Sequence, residues 1–146
     1  MASLKKFLET KNYHWVPLVL TATNHLEVTA KINGITGRFI LDTGASNTCV
    51  GLDKIAFFGL ASEETKIKAA GAGATEMETM ISPKNSLEIG EWKKKKLKIV
   101  LFDLVHVNDA LSAHQALPVD GIIGADILKK SRAVIDYDKK RLYLRK

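Results

Sequence analysis

The sequence predicts an all-β domain, and three observations carry that reading. Strand-like segments recur about every ten residues, bounded by turn residues. Helical periodicity is almost absent, so there is no alternation of strands with long helices. An Asn33-Gly34 pair, the strongest short hairpin signal because both residues tolerate positive φ, joins two alternating apolar segments.

The elements follow in order. Leu4, Phe7 and Leu8 fit one or two helical turns near the N-terminus. Val16 to Thr21 is β-branched and apolar, with Pro17 near its start, where an edge or first-strand position tolerates it. His25 to Ile32 alternates around Leu26, Val28 and Ala30, and Ile35 to Leu41 returns from the Asn-Gly turn straight into Asp42-Thr43-Gly44. Ile67 to Ile81 reads as a flexible hairpin with a Gly71-Ala72-Gly73 tip. Leu87 to Ile89 and Lys96 to Leu101 form a further hairpin over Gly90-Glu91, with lysines at its turn, and residues 103–118 read as a long loop. A short helix holds Ile127 to Lys130. A last hairpin pairs Ala133 to Tyr137 with Arg141 to Leu144 over Asp138-Lys139-Lys140.

The chain has 146 residues, which fits one domain with a real core. Its 46% hydrophobic and 26% charged content is ordinary for a globular protein. No apolar run approaches the roughly 20 residues of a membrane helix. No apolar segment follows the first lysines, so no secretory signal is expected. One cysteine, Cys49, excludes an intramolecular disulfide and fits a reducing compartment, so the expected location is cytoplasmic, with no membrane partner.

The net charge is +6. Basic residues cluster at Lys93 to Lys96 and again at Lys129, Lys130, Arg132, Lys139, Lys140, Arg141, Arg145 and Lys146. Such a balance raises the prospect of nucleic-acid contact. Single-strand binders interleave aromatic stacking platforms with their cations, and Lys93 to Lys96 contains none. The expectation is therefore a solvated turn and no nucleic-acid partner.

Two segments carry the chemistry. In Phe39-Ile40-Leu41-Asp42-Thr43-Gly44-Ala45-Ser46, a carboxylate is delivered from a strand end onto a tight turn of small residues that lets a backbone or substrate approach. In Val119-Asp120-Gly121-Ile122-Ile123-Gly124-Ala125-Asp126, an apolar pair closed by Gly enters a helical stretch. A phosphate-gripping turn of the actin-like kinase type needs two large lobes that this length cannot supply. A phosphatase of the Asp-x-Asp kind lacks its second Asp. Cys49 has no nearby His to activate it and reads as a small buried hydrophobe. The histidines His14, His25, His106 and His114 lack metal-ligand spacing, so no metal is expected.

Apolar-apolar-Asp-Thr-Gly-Ala-Ser, a Gly-rich tip, then Asp-Gly-Ile-Ile-Gly-Ala-Asp-Ile-Leu before two last strands resembles a retropepsin-like aspartic protease, most closely the bacterial single-domain group similar to gag-polyprotein proteases. The resemblance covers roughly residues 16–146 as the protease domain, with residues 1–15 as an N-terminal extension. It implies a retropepsin-like acid-protease fold with one short helix after the second motif. It implies an aspartic endopeptidase acting on a peptide or protein substrate, without cofactor or metal. Such hydrolysis needs two carboxylates sharing a proton. With one Asp-Thr-Gly in the chain, the resemblance implies a homodimer in which Asp42 meets its own copy at the two-fold axis.

By the same resemblance, Thr43 braces the paired loops, Gly44 lets the carboxylates become coplanar, and Ala45 and Ser46 line the floor. Ile122, Ile123 and Gly124 support the loop from beneath, and Gly71, Ala72 and Gly73 form a flap over the substrate. The alternative is a peptide-binding or interaction module that keeps the fold without a working dyad.

Overall fold

β-Branched and aromatic side chains at alternate positions make sheet the main regular structure of the chain. A computed structural model describes residues 3–61, 63–68 and 78–146. Helix α1 (Leu4–Thr10) is followed by β1 (Tyr13–Pro17), β2 (Val19–Leu20), β3 (Leu26–Ile32), β4 (Ile35–Leu41) and β5 (Cys49–Gly51). A 3-10 turn (Leu52–Lys54) leads into α2 (Ile55–Phe58), then β6 (Glu63–Lys68), β7 (Glu78–Ile89) and β8 (Trp92–Phe102). The last third holds α3 (Val105–Ala113), β9 (Gly121–Ile123), α4 (Ala125–Lys130), β10 (Val134–Asp136) and β11 (Arg141–Arg145).

Eight strands form one sheet in the order β2-β3-β4-β9-β5-β8-β7-β6, and β3 also pairs with β7, which closes the sheet into a barrel. A second sheet stacks β1-β11-β10. The Asn33-Gly34 turn forms as expected, with φ of 52° and 84°, and sets β3 against β4 from Ile32↔Ile35 to Glu27↔Ile40. Buried Glu27 meets the Arg38 guanidinium across that pair at 2.8 Å, which pins the register with a charge that needs its partner.

The centre of the barrel wall is covered on both faces. Phe39, Val50 and Ile123 point into the main core with Ile32, Leu87 and Ile99. Their neighbours Ile40, Cys49 and Ile122 point the other way, into a second cluster with Phe102, Leu104, Leu111 and Val119. Period-two alternation across a doubly covered sheet explains why these strands read as unbroken apolar runs.

Three expectations change. Residues 103–118 contain helix α3 rather than only loop. Its β-branched Val105 and Val107 hide it from propensity, and it persists because buried Leu104 and Leu111 pack onto the second cluster. Val16 to Thr21 is not one strand. β1 ends at Pro17, buried Leu18 donates its N–H to the Lys140 carbonyl at 2.8 Å, and β2 resumes in the other sheet. Lys93 to Lys96 lie on β8 rather than in a turn, because Gly90 (φ 58°) with Glu91 closes the hairpin and buried Trp92 opens the strand. Within the second sheet, β1 runs across the boundary expected at residue 16, pairing Tyr13 with Arg145 through Pro17 with Arg141.

Candidate active site

Asp42 stands at the end of β4, one residue beyond Leu41, where the chain leaves the sheet. β9 lies parallel to β4 with Leu41 opposite Ile123, and antiparallel to β5 with Cys49 opposite Ile122. The loop from Asp42 to Thr48 therefore starts on one flank of β9 and returns on the other. Strand β9 fills the gap between the two legs. That is the structural consequence of an apolar Ile-Ile pair between two glycines.

Main-chain bonds tie the loop down. The Asp42 N–H donates to the Ile123 carbonyl at 3.0 Å, and the Ala45 N–H donates to the Asp42 carbonyl at 3.2 Å. The Ala45 carbonyl in turn accepts the Ala125 N–H at 2.7 Å. The Asp42 carboxylate is half-buried, and its Oδ1 accepts the Gly44 N–H at 2.9 Å, an Asx-type turn that aims the group. Thr43, Gly44 and Ser46 are exposed and Ala45 is half-buried. A small turn beneath an accessible carboxylate leaves room for a second chain or a substrate.

Ile122, Ile123 and Gly124 are buried directly under this loop. At Gly124 a Cβ would sit 2.7 Å from the Ala45 carbonyl oxygen and 2.9 Å from Asn47, so only glycine lets the two segments touch.

Sequence reasoning passed over one residue pair that matters here. Thr48 is 1% exposed. Its hydroxyl donates to Asp126 Oδ1 at 2.8 Å and accepts the Gly124 N–H at 3.0 Å, while its own N–H donates to the same Oδ1 at 2.9 Å. The second motif thus locks onto the first through Asp126. The signal was an acid inside the apolar stretch Ile122 to Leu128, half-buried in the fold beside the closed-off Thr48. Asp120 is also engaged: it accepts the Arg38 N–H at 2.9 Å and pairs with Lys54 at 3.5 Å.

Cys49, on β5, is buried and unpaired, and its thiol is pushed up to about 12. Burial is the main cause, with the Asp126 and Asp42 charges acting in the same direction. It is inert packing, as its composition context suggested. Among the described residues, no group of three or more His, Cys, Asp or Glu is placed to hold a metal ion. The flap expected at Gly71, Ala72 and Gly73 lies outside the described residues.

A closed, mostly β barrel with a strand threaded between the legs of an Asp-Thr-Gly loop defines the retropepsin-like class. A family model described as aspartyl protease matches residues 28–127, and the chain belongs to that family. No curated protein matches the chain.

The fold is similar to that of a retropepsin-like aspartic protease from Rickettsia conorii, at 19% identity and a TM-score of 0.59, covering 90% of each chain. It is also similar to the retroviral protease-like domain of Ddi1 from Leishmania major, at 17% identity, a TM-score of 0.56, and 82% and 87% coverage. EIAV protease, solved with the inhibitor HBY-793, matches at 19% identity and a TM-score of 0.55, over 75% of this chain and 90% of that one. No described helix is long and apolar enough to cross a membrane.

Proposed function

We propose that the protein is an aspartic endopeptidase whose catalytic pair is Asp42 and the Asp42 of a second copy. The observation that carries this reading is the unequal use of the acids around the loop. Asp120 and Asp126 are held by Arg38, Lys54 and Thr48, whereas Asp42 stands at the accessible turn with only its Oδ1 oriented by Gly44. A C2 axis beside exposed Thr43 and Gly44 brings one Asp42 to the other, since a residue near such an axis meets itself.

Two carboxylates at that distance cannot both ionise readily, so one proton is shared and the pair titrates as a unit. The ionised member takes a proton from water as the water oxygen attacks the peptide carbonyl carbon. The protonated member gives its proton to the carbonyl oxygen. Collapse of the gem-diol then breaks the C–N bond: the newly protonated carboxyl gives its proton to the departing nitrogen, and the other carboxylate takes one from a gem-diol hydroxyl, which restores the singly protonated pair. In this scheme Thr43 braces the two loops, Ala45 and Ser46 floor the cleft, and Ile122, Ile123 and Gly124 hold the loop so the carboxylates do not splay. Gly71, Ala72 and Gly73 are assigned to the flap on the resemblance alone. The same resemblance supports a substrate that is a peptide or protein.

The test is a mixed peptide library incubated with the wild type and with Asp42→Asn over roughly pH 4 to 7, read by mass spectrometry. Cleavage by the wild type alone is expected, with a rate that falls on dilution as the dimer dissociates. Equal cleavage by both proteins, or none by a wild type shown by sedimentation to be dimeric, would overturn the proposal. The second outcome would instead favour a peptide-binding module.

A further inference from the structure

A second candidate site shares no residue with the Asp42 loop. Where β8 begins, the residues Trp92 to Lys94 face the end of α4 and the end of β11 across a cleft of about 970 Å³. Six of its lining residues are cations, brought in from three separate stretches of sequence: Lys93 and Lys94, Lys130 and Arg132, Arg145 and Lys146. The acid at the cleft, Glu91, is paired with Lys146 at 2.9 Å, and its carboxyl is held below the usual range by that lysine's hydrogen bond and charge. Lys93 is paired with Glu88 at 3.0 Å. Lys94, Lys130, Arg132 and Arg145 are exposed, and among the described residues none of the four is in an ion pair.

The walls are held by the fold rather than by the charges. The Tyr13 hydroxyl donates to the Arg132 carbonyl at 2.8 Å, the Arg145 N–H to the Ser131 carbonyl at 2.9 Å, and the Lys146 N–H to the Asn12 carbonyl at 3.0 Å. Arg132 takes φ of 50° just past the Ser131 C-cap of α4, a position that glycine normally fills. An arginine in left-handed backbone works against stability, and here it puts a guanidinium at the cleft. The dipole of so short a helix accounts for basic residues in its last turn at most. It accounts neither for Lys94 nor for Arg145, which come from strands. Like charges gathered this way repel, so the site is arranged for an anion that relieves them.

We propose that this cleft is a docking site for an acidic peptide segment, an Asp/Glu-rich stretch of a partner or substrate protein. The shape decides among polyanions. The volume is at the upper end of small-ligand sites, about 300–1,000 Å³, and fits a short extended chain. A nucleic-acid duplex spreads over about 1,000 Å² or more of surface. Single-stranded nucleic acid wants exposed aromatic faces, and Trp92, at 7% exposed, is packed. A peripheral membrane site needs an apolar face beside its cations, and the one apolar residue lining this cleft, Trp92, is packed.

The cleft is built from residues other than those of the Asp42 loop. β8 meets β5, which carries Cys49, only at its far end, with Val100 opposite Cys49. Helix α4 links the two regions, from Ala125, which bonds Ala45, to Lys130 at the cleft, yet no residue of the Asp42 loop lines the cleft. The site therefore binds whether or not Asp42 is catalytic.

The test is fluorescence anisotropy of the full chain with a labelled decapeptide of alternating Glu and Ser. An equally charged single-stranded oligonucleotide and vesicles with anionic lipid serve as competing arms. Binding of the peptide that weakens steeply with salt is expected. Lys94→Glu combined with Lys130→Glu is expected to weaken it about tenfold or more. Lys98→Glu combined with Lys139→Glu changes the net charge equally on exposed residues outside the cleft, and is expected to weaken it by about twofold or less. Equal loss in the two double variants would reduce the effect to net charge and overturn the site. Tighter binding of the oligonucleotide, binding to vesicles alone, or no peptide binding at low salt would overturn it as well.

Discussion

Strands β4 and β9 run side by side, parallel, and each ends in a glycine-bearing turn with an acid, yet the two acids are treated in opposite ways. Asp42 leaves β4 half-buried, with its carboxylate offered at an exposed turn. Asp126 follows β9 and is consumed: one oxygen takes both the hydroxyl and the N–H of a Thr48 that is itself closed off from solvent. A carboxylate spent on two donors is a structural strut. One left at the surface of a rigid loop is available for chemistry. The difference teaches that rigidity at Asp42 is supplied by its neighbour, which leaves the Asp42 carboxylate free of a structural task.

That division can be broken most forcefully at the acid proposed to be catalytic. Asp42→Asn is expected to lower peptide cleavage by about a thousandfold or more, since it removes the general base from the pair. Because the carboxylate carries little of the fold, the same variant should stay within about 0.5 kcal/mol of the wild type in urea unfolding. A large stability loss there would place Asp42 among the struts.

The next largest effect is expected where the turns touch. Gly124→Ala drives a methyl against the Ala45 carbonyl oxygen and the Asn47 backbone, and neither is a flexible side chain. Urea denaturation should register a loss of about 3 kcal/mol or more. A loss under about 1 kcal/mol would mean the loop yields freely and is not held by β9.

Asp126→Asn is the sharper counterpart to Asp42→Asn. It keeps the shape but replaces a charged acceptor of two Thr48 donors, and a loss of about 2 kcal/mol is expected in urea unfolding. If Asp126→Asn proved the milder of the two in stability, the contrast between the turns would be reversed.

The smallest effect concerns Cys49, which lies between the two acids. In the unfolded chain its thiol ionises from the ordinary value of 9.0, and in the folded chain only near about 12. Between those values the folded state keeps a proton that the unfolded state gives up. Stability therefore falls as pH rises through that window, by up to roughly 1.4 kcal/mol per unit. Comparing urea midpoints of the wild type and Cys49→Ala at about pH 8 and pH 10 isolates the thiol from the lysines. An identical pH slope in the two proteins would show that burial does not hold the proton.

Much of this arrangement was legible in the chain alone. Alternation set the strands, Asn33-Gly34 set their first hairpin, and the two motifs fell on a loop and on the strand that packs beneath it. These are local signals: period two, positive φ, a carboxylate next to glycine. What stayed hidden depends on partners far off in sequence. Helix α3 exists because Leu104 and Leu111 reach a cluster built by other strands, against the preference of its valines. Lys93 to Lys96 read as a solvated turn because a run of like charges carries no information about which strand or cleft it will border.

The sequence by itself determined the all-β class and the family, since each is written in a few contiguous residues whose chemistry is local. Only the tertiary structure decided that Asp126 braces through Thr48, that Asp120 answers Arg38 and Lys54, and that basic residues from β8, α4 and β11 converge on one cleft. The physical reason is the range of the forces. Backbone preference and turn sterics act over neighbours, whereas the pairing of half-buried carboxylates with donors and the pooling of surface charge act through space, between positions that only folding makes adjacent.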